Sequence, residues 1–251
     1  MCFRRAIITV AATLFLGGVA LGAQAGRSLC ADCHFANADG PDRRHLDAWS
    51  LSKHGQAQVG CERCHGGDPT TTERTIAHQD VLRSTAAGSR VHRANLPTTC
   101  GTCHSGPFSH FQQSQHFALL KDGDRRGPTC TTCHDSVAAQ LASPRRLEQT
   151  CLQCHGPNGR EPREGRAATA RLMLEDISEV RESLRAADRL IARVADPSRR
   201  ARIADAREQA EVPLTQARDA GHRFVFDELQ RRLVDARDRT MTLMQLLIEP
   251  R

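Results

Sequence analysis

Large aromatic side chains are scarce in this sequence. Its 251 residues include no tyrosine, one tryptophan and eight phenylalanines. A globular chain of this length ordinarily fills its core with more such side chains, because each one buries a large apolar area. The composition therefore excludes a core packed mainly by aromatic residues, and it leaves apolar volume for another group to supply.

The sequence also lacks a strong charge of either sign. Its 35 basic and 29 acidic residues give a formal charge of +6, and both halves of the chain carry a similar mixture. Nucleic-acid surfaces need a basic patch, and single-strand binders add aromatic residues between the basic ones. Neither pattern is present, so we expect no nucleic-acid partner.

Ten of the eleven cysteines lie in five Cys-x-x-Cys-His motifs, and only Cys2 stands apart. This motif is the signature of c-type haem attachment. The cysteine pairs are Cys30 and Cys33, Cys61 and Cys64, Cys100 and Cys103, Cys130 and Cys133, and Cys151 and Cys154. The histidines that end the motifs are His34, His65, His104, His134 and His155.

The spacing of the motif suits haem chemistry. Two thiols three residues apart lie on one side of a helical turn and can form thioethers with the two haem vinyl groups, while the next histidine supplies the proximal nitrogen. We therefore predict five covalently attached haem c groups, which would also supply the missing apolar volume. Disulfides, zinc ribbons and redox Cys-x-x-Cys sites are the alternatives, but none of them needs a histidine after every pair.

The close succession of the motifs indicates a relay. They begin at positions 30, 61, 100, 130 and 151. Residues 26–160, which contain all five motifs, number 135. A compact domain of that length has a radius of gyration of about 14 Å, so five macrocycles must approach one another. The spacing favours an electron-transfer chain over five isolated sites.

Seven histidines remain outside the motifs, and residues 26–165 contain no methionine. Histidine and methionine are the usual second axial ligands of such irons, and methionine raises the potential. The supply thus favours bis-histidine ligation and a low-potential carrier. The predicted further ligands are His54, His78, His116, His222, His45 and His92, of which the last two compete for the fifth iron.

The neighbouring residues in the sequence support these candidate ligands. His54 and His116 each end an aromatic-x-x-Ser-x-His sequence, whereas His78 follows the second motif and His222 lies on an apolar helical stripe. The remaining histidine, His110, is expected to face solvent.

The first 25 residues are typical of an export signal. Arg4 and Arg5 precede an apolar run, and Ala23-Gln24-Ala25 is a cleavage sequence of the A-x-A type. We expect a periplasmic mature protein beginning at Gly26. An uncleaved membrane anchor is the alternative, although an apolar run of about 17 residues is at the short limit for spanning.

The expected fold is mainly α. Gly-Pro turns divide residues 26–165, which we predict to be a loop-rich multihaem domain of short helices. Residues 166–251 are predicted to form a C-terminal hairpin of long helices. Its apolar residues recur in 4,3 steps from Met173 to Val194 and again from His222 to Leu247.

Breaks in this pattern locate the ends of the helices. Asp196-Pro197 is expected to begin a second helix, and Pro213 is expected to kink or restart it near residue 211. The stripe that starts at His222 is interpreted as part of the last helix. Packing and homo-oligomer formation are the expected roles of this hairpin.

These features resemble the multihaem cytochrome c superfamily that includes hydroxylamine oxidoreductase and pentahaem nitrite reductase. The similar segments are Trp-x-x-Ser-x-His at 49–54, Cys-x-x-Cys-His-Gly-Gly-Asp at 61–68, and the aromatic-x-x-Ser-x-His at 111–116. A histidine followed by an aromatic residue in a C-terminal helical bundle, as at His222 and Phe224, is similar too. The resemblance covers most of residues 28–247 and implies a multihaem electron-transfer architecture.

Two departures from this superfamily concern catalysis. Pentahaem nitrite reductase has a Cys-x-x-Cys-Lys motif at its catalytic haem, and hydroxylamine oxidoreductase cross-links a tyrosine to its own. Here all five motifs end in histidine, and the chain has no tyrosine. The resemblance therefore implies an electron-transfer member rather than either enzyme.

The expected function is that of a periplasmic pentahaem carrier. It would pass electrons between a quinol-oxidising membrane partner and a terminal reductase or oxidase. Two alternatives stay open: an oxidoreductase with one open haem that acts on a small nitrogen or sulfur compound, and a membrane-anchored quinol dehydrogenase subunit. The surplus of histidines weighs against an open haem.

Overall fold

The structure is a computed structural model that describes residues 28–37, 40–135, 137 and 143–249. The predicted leader, its cleavage site and Cys2 lie outside the described residues. Within those residues the chain forms thirteen helices and no strand, which confirms the mainly α fold. In this part of the chain, none of the helices combines the length and apolar character that a membrane span requires.

Ten helices of four to twelve residues make up the first part of the described chain, as the loop-rich pattern predicted. In order, they are α1 (Leu29–Ala36), α2 (Arg43–Leu51), α3 (Lys53–Gln56), α4 (Glu62–His65), α5 (Arg74–Ala77), α6 (Leu96–Gly101), α7 (Ser105–Phe111), α8 (Gln115–Lys121), α9 (Cys130–His134) and α10 (Pro144–His155).

Each haem motif lies on or directly beside one of these short helices. The first motif is inside α1, the second forms α4 with Cys61 as its N-cap, the fourth is α9, and the fifth ends α10. The third begins on α6 and leaves its histidine, His104, just before α7. Thr129 caps α9 through a reciprocal pair of hydrogen bonds with Thr132, which satisfies two amides that the helix leaves free.

Three long helices complete the fold: α11 (Arg166–Ile191), α12 (Pro197–Arg223) and α13 (Phe226–Ile248). Helices α12 and α13 form a hairpin and α11 packs against both, so the segment predicted as one hairpin contains three long helices. The predicted stripes supply much of the buried core, including Ile177, Leu184, Leu233 and Leu243. Asp196 caps α12 as expected, because its carboxylate accepts from the amides of Ser198 and Arg199.

Helix α12 does not restart near residue 211, which was one of the two expectations, because it continues through Pro213. Proline has no amide hydrogen, so the carbonyl oxygen of Gln209 loses its usual donor. Arg239 of α13 donates from its guanidinium to that oxygen at 3.4 Å. A side chain from the neighbouring helix thus replaces the missing bond.

His222 also lies elsewhere than expected, in the last turn of α12 and not on the last helix. Phe224 adopts the left-handed conformation, with φ 59° and ψ 32°, and ends the helix. The amide of Val225 then donates to the carbonyl of Ala220 at 3.1 Å. The apparent stripe from His222 to Leu247 therefore crosses a helix break, which the periodicity alone could not reveal.

Candidate haem sites

The ten histidines that face one another in the structure form five pairs. Each pair joins one motif histidine to one histidine outside the motifs. The ring centres are 5.7 Å apart for His34 and His78, 5.9 Å for His45 and His65, 5.9 Å for His54 and His104, 6.0 Å for His116 and His155, and 6.3 Å for His134 and His222.

These separations match two imidazoles on a single metal ion. A metal–imidazole bond is about 2 Å long, so two rings on opposite sides of one ion have centres roughly 6 Å apart. The described residues contain no group of three or more histidine, cysteine or acidic side chains that could hold a metal ion. Each pair offers two imidazoles at the spacing of the two axial positions of a haem iron.

A serine positions the histidine in both aromatic-x-x-Ser-x-His sequences. Ser52 precedes α3, donates to the carbonyl of Trp49 at 2.6 Å and accepts from the amide of Gly55 at 3.0 Å. His54 is consequently the second residue of a capped helix.

The second sequence repeats this arrangement at α8. Ser114 donates to the carbonyl of Phe111 at 2.7 Å and accepts from the amide of Phe117 at 3.1 Å. Ser52 and Ser114 are only 1% and 4% exposed. The repeated sequence is therefore a helix start that fixes the direction of its histidine.

Backbone carbonyls orient four of the paired rings. The Nδ1 atoms of His78, His155 and His222 lie 2.8 Å from the carbonyl oxygens of Arg74, Glu161 and Arg218. Nδ1 of His54 is 3.0 Å from that of Val137. When Nδ1 donates its proton to a carbonyl, Nε2 is left unprotonated and free to bind a metal ion.

Burial favours the neutral form of several of these rings. It lowers the pKa of His65, His116, His134 and His222, with a further contribution from neighbouring imidazoles or arginines. A neutral imidazole is the form that binds iron.

Phe224 is a residue whose packing the sequence did not predict. Its ring meets that of His116 nearly at right angles, with the centres 4.2 Å apart. The same helix end therefore contacts two sites, His134 through His222 and His116 through Phe224. The resemblance draws attention to Phe224, but its contact with His116 depends on the left-handed backbone at Phe224, which is not predictable from the sequence.

All ten paired histidines line one cavity of about 2530 Å³. Pockets for small ligands usually measure about 300–1,000 Å³, and protein interiors otherwise leave few voids. Nine of the ten motif cysteines border this cavity, whereas Cys154 of α10 does not. The motif cysteines are free of disulfides. A space of this size beside free thiols and opposed imidazoles fits several haem groups.

Thiols of successive motifs lie near one another. Before haem attachment, burial and then Cys30 raise the pKa of Cys61, and burial with Cys100 and Cys103 raises that of Cys64. The first three attachment sites are thus neighbours in chain order.

The same proximity continues to the last motif. A hydrogen bond between the Cys100 and Cys130 thiols raises the pKa of Cys100 and lowers that of Cys130. Burial, with Cys151 nearby, raises the pKa of Cys133 to about 11. The five attachment sites therefore follow one another in space as they do in the sequence.

The two histidines outside the pairs have other surroundings. His92 faces no motif histidine and does not line the cavity, and its Nδ1 accepts from the amide of Ala94 at 3.3 Å. His110 was expected to face solvent, but its side chain is only 29% exposed. Its Nε2 lies 3.4 Å from the carboxylate of Asp219. His110 thus connects α7 to α12.

Two family models match different parts of the chain. Cytochrome c554 and c-prime matches residues 20–66, which contain the first two motifs, and cytochrome c7 and related cytochrome c matches residues 85–156, which contain the other three. No curated protein and no solved structure gave a significant match. The two matches support a multihaem c-type cytochrome that transfers electrons through covalently bound haem c.

Proposed function

We propose that the chain is a periplasmic pentahaem electron carrier in which every iron has two histidine ligands. The observation that carries this proposal is the set of five imidazole pairs, each of which joins a motif histidine to a partner 5.7–6.3 Å away. Haem c would supply the redox chemistry, and the protein would hold, orient and insulate it.

The proposed second ligands are His78, His45, His54, His222 and His116, for the first to the fifth motif in that order. His45 takes the place for which His92 competed, because it faces His65 inside the cavity and His92 does not line it. Met173 also borders the cavity from α11. However, each motif histidine already faces an imidazole, so this methionine has no site to complete. Bis-histidine ligation favours a low potential.

The succession of neighbouring thiols supports a relay that runs from the first motif to the fifth. Electron entry and exit would then lie at the two ends of this row. A quinol-oxidising membrane partner at one end and a terminal reductase or oxidase at the other are the proposed redox partners. Homo-oligomer formation through α11–α13 is a separate prediction.

A carrier is favoured over an enzyme because every motif histidine has an opposing imidazole. A catalytic haem needs one open axial position for its substrate. The resemblance to hydroxylamine oxidoreductase and pentahaem nitrite reductase extends, in this proposal, to architecture and electron transfer only. A small nitrogen or sulfur compound as substrate is the alternative.

Intact-mass spectrometry of protein purified from a host with c-type maturation tests both the cofactor number and the export of the chain. We expect a mass equal to residues 26–251 plus five haems, because all five motifs are complete. A pyridine haemochrome assay provides an independent count. Four or fewer haems in mature protein would contradict the proposal. An intact leader recovered with membranes would favour the anchored quinol dehydrogenase subunit.

Electron paramagnetic resonance of oxidised variants tests the choice between His45 and His92. We expect wholly low-spin iron in the unmodified protein and one high-spin haem in His45→Ala, because the iron bound to His65 loses its second ligand. His92→Ala is a matched control, since both side chains are half-buried. A high-spin signal in His92→Ala but not in His45→Ala would reverse the assignment. A high-spin signal in the unmodified protein would favour the enzyme.

A further inference from the structure

The wall of the haem cavity is rich in arginine. Among the described residues, eight arginines border it but only two carboxylates do, those of Glu62 and Glu161. Each haem carries two propionate groups, so five haems would bring ten carboxylates into this space. The excess of guanidinium groups has the opposite charge to the proposed cofactors.

Several of these arginines already have a partner within the protein. Arg223 pairs with Glu228 at 2.9 Å, and Arg166 stacks over the ring of Phe226 at 5.1 Å. Residues of α13, Glu228 and Phe226, thus already hold these two arginine side chains.

Arg181 of α11 and Arg218 of α12 differ from these. Among the described residues, neither has a carboxylate within 4.0 Å in an ion pair. The nearby carboxylate of Glu211 is 2.8 Å from Arg207, which also pairs with Asp188. Burial, followed by the charges of Arg218 and Arg185, lowers the pKa of Arg181. Two neighbouring arginines thus border one cavity without a carboxylate of the described residues in ion-pair contact, and such a pair of like charges favours an anionic ligand.

The position of Arg218 indicates which haem supplies that anion. Its carbonyl accepts from Nδ1 of His222 at 2.8 Å, so the two residues are one helical turn apart. His222 faces His134 of the fourth motif. A haem held between His134 and His222 would therefore lie beside Arg218.

We propose that Arg181 and Arg218 bind a propionate carboxylate of the fourth haem. The positive charge of the two arginines would raise the reduction potential of that haem. Guanidinium groups bind carboxylates with two parallel hydrogen bonds, and this geometry suits a site built from two helices. A nearby positive charge destabilises the ferric state, which carries one more positive charge than the ferrous state. This inference rests on the proposed bis-histidine function.

A redox titration of the purified holoprotein, followed by electron paramagnetic resonance, tests the inference. We expect Arg181→Gln and Arg218→Gln to lower the potential of one haem, with all five haems attached and low-spin. That haem is identified as the one that becomes high-spin in His222→Ala. Arg181→Lys should restore most of the shift, since it keeps the charge but loses the two-pronged geometry.

Arg189→Gln is the matched control, because Arg189 is an exposed arginine on the same helix that does not line the cavity. Five low-spin haems with no shift beyond this control would contradict the propionate site and leave the carrier function intact. An equal shift at every haem would also contradict it, because it would indicate a diffuse effect of net charge. A haem count below five or an open iron in the unmodified protein would instead contradict the proposed function.

Discussion

Replacing His222 with alanine is expected to convert one haem from low-spin to high-spin while all five haems remain covalently attached. Covalent attachment depends on Cys130 and Cys133, which the substitution does not touch. The iron bound to His134 would lose the His222 ring, whose centre lies 6.3 Å from that of His134 and whose plane is tilted by 16° from it. Electron paramagnetic resonance and the haemochrome count measure the two parts of this prediction separately.

The same substitution should loosen the end of α12. Ligation would tie this helix to the fourth motif, so its loss should lower the temperature at which the helical signal is lost in circular dichroism. His110→Ala is the control, because His110 connects α7 to Asp219 of the same helix without facing a motif histidine. It should weaken that contact and leave every haem low-spin. A wholly low-spin His222→Ala protein would restrict the three long helices to a packing role.

Gly67→Ala is expected to disturb the first haem although Gly67 follows the second motif. Gly67 has φ +88°, and an added Cβ would lie 2.4 Å from the carbonyl oxygen of Ala77 and 2.9 Å from Val81. The same carbonyl accepts from the amide of Asp68 at 3.1 Å, so the two segments touch along the backbone. Because the carbonyl of Ala77 cannot move away alone, the turn that carries His78 must shift. We expect one haem to become partly or wholly high-spin.

Gly123→Ala separates this clash from backbone strain. Gly123 has a similar φ of +78°, but an added Cβ would have no atom within 4 Å. It should cost only the strain of a left-handed residue, about 1–2 kcal/mol of unfolding free energy. Its haems should stay low-spin. If the two variants gave the same spectrum, the contact between Gly67 and Ala77 would have no part in positioning His78.

Local signals in the sequence were sufficient to locate the motif helices and two of the proposed second ligands. Cys-x-x-Cys-His sequences have their own geometry, and Ser52 and Ser114 cap helices through contacts within three residues. Such features require no knowledge of the tertiary fold. His54 and His116 were therefore recognisable as candidates from their neighbours in the chain.

Features that depend on contacts between distant segments were not recognisable. Nothing near His45 or His92 in the sequence distinguishes them, and only the packing of the first helices brings His45 to His65. The continuation of α12 through Pro213 depends on Arg239, a donor from the next helix. The contact of His110 with Asp219 was not predictable, because the two residues lie more than one hundred positions apart in the sequence.

The five histidine pairs also determine which segments of the chain the irons would join into loops. Bonds to a common iron would close three overlapping loops between residues 34 and 104, and two more between residues 116 and 222. Each closure reduces the conformational entropy of the unfolded chain only within its own group of loops.

Among the described residues, no histidine pair spans the interval between these two groups. That junction is held by weaker bonds: Arg93 donates to the carbonyls of Asp124, Arg125 and Gly127, and His54 contacts Val137. The proposed relay crosses the same junction between Cys100 and Cys130. The step from the third haem to the fourth is therefore the one in which electrons would pass between two separately cross-linked halves of the molecule.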